Sequence, residues 1–266
     1  MVKYFSPLNL PSARILLSND DGIHAPGLAL LERVARSLCD DVWVVAPETE
    51  QSATSHSLTI HRPLRLKQLG EKRYICDGTP TDCVLLAINH LITDRKPTLV
   101  LSGINQGANI GEDVTYSGTI AAAMEATLLN VPAIALSQQY DNGFAVPWAT
   151  AEQWAATVIR KIANVAWPQG VLMNVNFPPV AADAVTGIHV VRHGKRKLGD
   201  ELVARTDPRG RPYIWIGALR GCKEVAPDTD IAVVNGGGIA ITPLSLDLTH
   251  HATLAPLARA VACDPV

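Results

Sequence analysis

The stretch at residues 15–28, ILLSNDDGIHAPGL, runs an apolar segment into two contiguous carboxylates, Asp20 and Asp21, and then into a turn holding Gly22 and Pro26. A short apolar run bounded by turn signals reads as a strand buried on both faces. The segment that follows, GLALLERVARSLCD, carries Leu28, Leu31, Val34 and Leu38 at helical spacing, with Glu32 and Arg33 turned outward. Strand, polar turn and amphipathic helix form the first unit of an α/β fold.

The alternation continues along the chain. VWVVAP (42–47), TLVLSG (98–103), VPAIALS (131–137) and VLMNVNFP (171–178) are further strand candidates. TDCVLLAINHLI (81–92), SGTIAAAMEATLL (117–129) and AEQWAATVIRKIANVAW (151–167) have helical patterns. LTIHRPLRLKQLGEKRYICDG (58–78) reads as a β-hairpin, and TLVLSG gives way to a long glycine-rich loop. Apolar strands alternating with helices predict a mostly parallel sheet with right-handed crossovers. Residues 1–13 read as an N-terminal extension and 14–185 as the catalytic core. From 186 the chain is strand-like but rich in charge, Gly and Pro, with a hairpin signal at DPRGRP (207–212). Residues 186–266 are therefore expected to form an extended β arm, then a strand and terminal helix that complete the core or an oligomer interface.

Composition narrows the function. The 266 residues are 47% hydrophobic and 18% charged with a net charge of -2, which fits a soluble globular enzyme and not a disordered chain. No basic surface for a nucleic-acid polymer is evident. The one cluster, GKRKLG around Lys195, is short and reads as a solvated turn. No run is long enough to span a membrane, and the first residues lack the apolar region of a signal peptide. Five scattered cysteines without a CxxC pair argue against structural zinc or a disulfide framework. A cytoplasmic protein is expected.

In an open parallel sheet, ligands bind beyond the carboxyl ends of the strands. Here those ends read SNDDG, APETEQS, SGINQGANIG and SQQ, all rich in side-chain oxygen. Two adjacent carboxylates repel unless a cation lies between them, and carboxylate, hydroxyl and amide partners suit Mg²⁺ or Mn²⁺ better than zinc or copper. NDDG alone would equally be a turn whose Asp caps the next helix. SGT at 117–119 opens a helix and offers backbone N–H groups to phosphate, though on its own it is an ordinary N-cap. A carboxylate pair and an anion cradle on one sheet edge together point to metal-assisted phosphoryl chemistry.

The motifs SNDDGIHAPGL, APETEQSATSHSLT, GTPTDCVLLA, SGINQGANIGEDVTYSGTIAAAMEA and ITPLSLDLT closely resemble, in this order, those of the SurE (stationary-phase survival) family. That resemblance implies a Rossmann-like core and a metal-dependent nucleotidase acting on nucleoside 5′- and 3′-monophosphates, with some members cutting short polyphosphate. It implies one divalent ion per subunit held by Asp20, Asp21, Ser52 and Asn105, and a phosphate pocket made by Asn109, Ser117, Gly118 and Thr119. It also implies homodimers or homotetramers that exchange C-terminal elements. One departure is visible: QSA stands where the family commonly has QSG, placing Ala53 after the Ser52 hydroxyl.

Two other classes are weaker. An aspartyl-phosphate phosphatase needs a DxD arrangement, and the two Asp here are contiguous. A Mg²⁺-binding receiver-like signalling module needs a phosphoacceptor Asp at the end of a later strand, where this chain has SGIN. No GxGxxG follows the first strand, which disfavours a nicotinamide enzyme. Aromatic residues make up only 5% of the chain, and Tyr116 is the one close to the expected ligands in sequence, with Tyr140 and Phe144 further along. Loose discrimination between bases follows from so little stacking surface.

Overall fold

The computed structural model describes residues 3–141, 143–196, 202–216 and 225–262. In chain order the strands are β1 (Tyr4–Phe5), β2 (Arg14–Ser18), β3 (Asp41–Pro47), β4 (Leu66–Gly70), β5 (Arg73–Cys76), β6 (Leu99–Gln106) and β7 (Ala133–Gln138). They continue with β8 (Trp167–Pro168), β9 (Val171–Phe177), β10 (Ile188–Val190), β11 (Leu202–Thr206), β12 (Pro212–Ile216) and β13 (Ile239–Ser245). The helices are α1 (Pro26–Arg36), α2 (Pro80–Leu86), α3 (Gly118–Leu128), α4 (Trp148–Ala163), α5 (Asp230–Asn235) and α6 (His251–Ala262).

Nine strands form the central sheet, in the order β10-β13-β9-β7-β6-β2-β3-β5-β4. The block from β9 to β5 is parallel throughout. From β2 the chain builds outward through β3 and β5, then returns to the other side of β2 and builds through β6, β7 and β9. The strand order therefore reverses between β2 and β6, and a crevice opens beyond their carboxyl ends.

The period of a strand decides which helices cover which face. Ile15 and Leu17 of β2 pack with Leu99 and Leu101 of β6 against α1 and α4. Leu16 and Val100, one residue out of phase, pack against α2 and α3. With side chains buried on both faces, each worth about 1.5–3 kcal/mol, these strands have no polar side to spare. α1 starts at Pro26, whose missing N–H costs nothing at a helix start. The alanines 121–123 and Ala126 of α3 are all buried and let that helix lie close on the sheet.

Some boundaries differ from the sequence reading. The hairpin is confined to β4 and β5, because Leu58–Arg65 finds no strand partner and is held by side-chain bonds such as Thr59 N–H to Asp82. α2 is short and passes into a π-helical turn at Ala87–Leu91. β6 does not stop at Gly103 but runs to Gln106, with an irregularity in its pairing to β7 between Ser102 and Asn105.

Beyond residue 186 the chain does two things. β13 joins the sheet antiparallel to β9, and β10 adds in parallel beside β13. β11 and β12 form a separate two-stranded ribbon, turned at DPRGRP where Asp207 Oδ1 accepts from Arg209 N–H and Arg211 N–H. The basic run around Lys195 is only partly described, since 197–199 lie outside the described residues. Within it Arg196 is not solvated as expected: it is half-buried and pairs with Asp113. Cys222 and Cys263 also fall outside. α6 is exposed along its length, as are Ile214, Trp215 and Ile216 of the ribbon. No described helix is long and apolar enough to cross a membrane.

Candidate functional site

The crevice is built from the loops that leave β2, β3 and β6. After β2, the buried Asn19 donates from Nδ2 to the carbonyl of Gly22 at 2.9 Å and closes a tight turn. Gly22 sits at φ +95°, a conformation that favours glycine. The loop after β3 docks on this turn through Ile23 N–H to Pro47 O at 2.9 Å and Gln51 N–H to Asp20 O at 2.7 Å. Asp20 and Asp21 are thereby fixed side by side at the point where the strand order reverses.

The two carboxylates differ in surroundings. Asp20 is 4% exposed, and the Thr119 hydroxyl donates to its Oδ1. Burial pushes its pKa up, against the Thr119 hydroxyl and the Thr119 and Gly118 amides, which favour the charged form. Gly118 is required by this approach, since a Cβ there would lie 2.7 Å from Asp20 Cβ and 3.1 Å from Pro80 Cγ. Asp21 is less buried, and its Oδ2 accepts from Gln106 N–H at 3.1 Å. Burial, then the charges of Asp20 and Glu50, lift its pKa to about 6 against that hydrogen bond. Among the described residues, no ion pair includes Asp20, Asp21 or Glu50.

Ser52 and Asn105 complete the rim. The exposed Ser52 hydroxyl donates to Glu50 Oε1 at 2.7 Å, and Asn105 Nδ2 donates to Gly107 O at 2.8 Å. Among the described residues, no donor reaches Asn105 Oδ1. The donors are thus two carboxylates, a hydroxyl and a side-chain amide, and among the described residues no three His, Cys, Asp or Glu side chains converge on a metal position. Such an all-oxygen set fits a hard divalent ion. The buried Ser18 Oγ and Asn19 Oδ1 at the end of β2, and Ser102 Oγ beside them within β6, have no hydrogen-bond partner among the described residues.

The expected phosphate residues divide into two groups. Ser117 is the N-cap of α3, its hydroxyl accepting from Ile120 N–H at 3.1 Å, and Thr119 faces Asp20 as described. The first turn of α3 is therefore directed at the carboxylate pair. Asn109 stands apart in a buried amide network. Asn176 clamps its backbone from both sides, Oδ1 accepting from Asn109 N–H at 2.8 Å and Nδ2 donating to Asn109 O at 3.1 Å. Asn174 donates to the same carbonyl at 2.8 Å, and Asn109 Nδ2 donates to Ser137 Oγ at 2.9 Å.

A cleft of about 300 Å³ opens beside Asp21. Glu50, Ser52 and Gln106 are its other polar lining residues, and Pro26, Gly27, Tyr140 and Trp148 also line it. Sequence reading missed Glu50, Gln106 and Trp148. Glu50 stands two residues before Ser52 in a loop made almost wholly of polar residues, Gln106 acts through its backbone, and Trp148 opens a helix far along the chain. Of the aromatics singled out, Tyr140 is in the cleft, whereas Phe144 is 75% exposed and is not among its lining residues.

Comparison with known proteins bears on this arrangement. The family model described as "Survival protein SurE" matches residues 15–200. The chain is 60% identical over 248 residues to a protein of Paramagnetospirillum magneticum named 5′-nucleotidase SurE, covering 93% of this chain and 95% of that one. It is 56% identical to a protein of the same name from Rhodospirillum rubrum, covering 96% and 99% of the two chains. The crystal structure of the SurE protein from Aquifex aeolicus superposes with a TM-score of 0.82 at 36% identity, over 93% of this chain and 99% of that one.

Proposed function

The chain belongs to the SurE family, and on that premise we propose that it is a 5′-nucleotidase, hydrolysing nucleoside 5′-monophosphates to nucleoside and phosphate with one divalent metal ion per subunit. The observation that carries the metal dependence is the Asp20–Asp21 pair, two adjacent carboxylates with raised pKa values and no cationic side chain of the described residues beside them. Asp20, Asp21, Ser52 and Asn105 would hold Mg²⁺ or Mn²⁺. When bound, such an ion polarises a phosphoryl oxygen and lowers the pKa of a coordinated water.

The chain's own groups supply the rest. Thr119 and the first amides of α3 orient Asp20. Ser117, Gly118 and Thr119 would form the cradle that takes phosphate oxygens, where helix-end N–H groups favour growing negative charge, and Asn109 is assigned to the same pocket by the family resemblance. Asp21 is the more accessible proton acceptor of the pair, because Asp20 is closed off from solvent and its Oδ1 already accepts from the Thr119 hydroxyl. Hydrolysis of 3′-monophosphates and short polyphosphate belongs to the same reading, since the cradle recognises a phosphoryl group whatever it is attached to.

The subunit works as a homodimer or homotetramer in the cytoplasm, exchanging C-terminal elements; the exposed Leu254, Leu257 and Val261 of α6 support this. Removing 251–262 should lower the mass seen by light scattering, and an unchanged mass would place α6 within its own subunit. The function is tested by phosphate release from purine and pyrimidine 5′- and 3′-monophosphates, glucose 6-phosphate and short polyphosphate, with chelator-treated protein resupplied with Mn²⁺ or Mg²⁺. Full turnover without metal would end the metal assignment. Glucose 6-phosphate outrunning every nucleotide would end the nucleotidase assignment.

A further inference from the structure

We propose that Tyr140 and Trp148 seat the base of the nucleotide, and so determine which phosphomonoesters this chain prefers; the inference rests on the nucleotidase reading above. The cleft is lined by residues of two kinds. Asp21, Glu50, Ser52 and Gln106 bring charge and hydrogen bonds, while Pro26, Gly27, Tyr140 and Trp148 bring apolar, partly aromatic surface. A volume of about 300 Å³ is at the lower end of pockets that take small organic ligands. Inorganic phosphate has nothing with which to cover these aromatic rings. A flat, weakly polar ring joined to phosphate through a short hydroxylated spacer meets both kinds of lining residue, and that is the chemistry of a nucleoside monophosphate.

These rings are fixed in place. A Cβ at Gly107 would lie 3.9 Å from Tyr140 Cε1, so the phenol ring lies against the turn that follows β6. A Cβ at Gly27 would lie 1.9 Å from Ile104 O and 3.0 Å from Trp148 Cη2, so α1, β6 and the indole meet where only glycine fits. Trp148 also packs against the core cluster beneath α4, which holds the indole without burying it.

The polar handles of these two rings are unused. Trp43, Trp154 and Trp167 each donate their indole N–H, to Asp41, Ala182 O and Val171 O respectively. Among the described residues Trp148 Nε1 has no such partner, and neither has the Tyr140 hydroxyl. Half-buried Tyr and Trp normally find a partner for the polar end. Both rings face a cleft in which a ligand would supply it. Because every base has a stacking face, such rings accept many bases.

Titration calorimetry on the Mn²⁺-loaded full chain, with adenosine and inorganic phosphate as separate probes, tests the assignment. Tyr140→Ala and Trp148→Leu should each weaken adenosine roughly tenfold, in the range expected for one lost stacking contact. Phosphate affinity should move by less than about twofold, as expected when the cradle is untouched. Tyr140→Phe, which keeps the ring, should bind adenosine nearly as wild type does. Equal loss of both probes, no loss of either, or a wild-type protein that binds phosphate but not adenosine would each overturn the base seat. Absence of turnover on any nucleotide would overturn the nucleotidase reading separately, since the binding constants do not depend on catalysis.

Discussion

β2 carries charge at both ends, and the two ends treat it in opposite ways. At the amino end the buried Arg14 reaches Asp41 at 2.6 Å, Asp94 at 2.6 Å and the Arg95 carbonyl at 2.7 Å, while Lys72 meets Asp41 at 3.0 Å. Burial acts to raise Asp41, but hydrogen bonds from Arg14 and Lys72 outweigh it and hold the pKa at about 2. The Arg14 hydrogen bond does the same for Asp94. A few residues on, past the carboxyl end, Asp21 is raised to about 6 with a second carboxylate beside it. One end is neutralised from within the chain; the other is left to be neutralised from outside. Charge that is compensated internally serves the fold, and charge left uncompensated at a strand end serves a ligand.

The largest expected effects break this comparison into its halves. Asp20→Asn and Asp21→Asn should each lower nucleotide hydrolysis by more than about a hundredfold, since even groups that only support a metal ligand are worth about 10–100-fold. The metal-free variants should resist denaturant as well as wild type or better, because a repelling charge is gone. Arg14→Met should do the reverse, costing about 1–3 kcal/mol, as the loss of part-buried hydrogen bonds to charged groups does, with near-normal turnover per folded molecule. Denaturant midpoints and specific rates on the same samples decide. If the Asp variants unfold and Arg14→Met is silent, the roles of the two ends are wrongly assigned.

A pH series sharpens the contrast. Asp21 titrates at about 6 in the fold against an ordinary value of 3.8, so between these the folded state keeps a proton that the unfolded chain has released. Its contribution to the stability of metal-free protein is therefore present below the lower value and is lost as pH rises through the upper one. Mn²⁺ affinity should climb over the same interval, because the ligand must lose its proton to bind. The midpoint difference between wild type and Asp21→Asn, followed across that interval, should fall with rising pH. A flat difference would remove the case for an uncompensated pair.

The smallest effect lies in the loop that brings Ser52 to the crevice. Ala53 sits at φ 59°, in the left-handed region, which costs a non-glycine residue roughly 1–2 kcal/mol. Ala53→Gly relieves this but adds about 0.5–1 kcal/mol of unfolded-state entropy. A net gain of under about 1 kcal/mol is expected, read as a small rise in melting temperature with the Asp variants' behaviour unchanged.

Much of this contrast was legible in the sequence, because an apolar strand that stops at adjacent carboxylates announces both a strand end and a charge problem. Asp21 and Ser52 line one cleft, and β2, β3, β6, β7 and β9 fall where the apolar runs are, whereas Trp167, read as the end of a helix, pairs in β8 with β1 because α4 stops at Ala163. What escaped notice has physical causes. The Gln106 amide that meets Asp21 is a backbone donor, with no sequence signature. Trp148 reaches the cleft only because α4 packs beside α1, and the packing of two helices far apart in the chain is not written locally. That Thr119 serves Asp20, and that Ser117 is occupied with its own helix, depends on how closely α3 approaches the β2 turn. The direction of β13, antiparallel to β9, was equally invisible in the run ITPLS.

The irregularity in β6 has a consequence of another kind. Leu99 and Leu101 lie on the α1/α4 side of the sheet, and simple alternation would send residue 104 to the opposite side, yet Ile104 packs with them. The three steps from Ser102 to Asn105 span only two on β7, from Ala135 to Ser137, so one surplus residue reverses odd and even for the rest of the strand. Parity, not chemistry, decides that Ile104 enters the core and Asn105 reaches the rim. A chain shortened by one residue at this step would keep every functional group and lose their arrangement, so along SGIN length is under stricter control than identity.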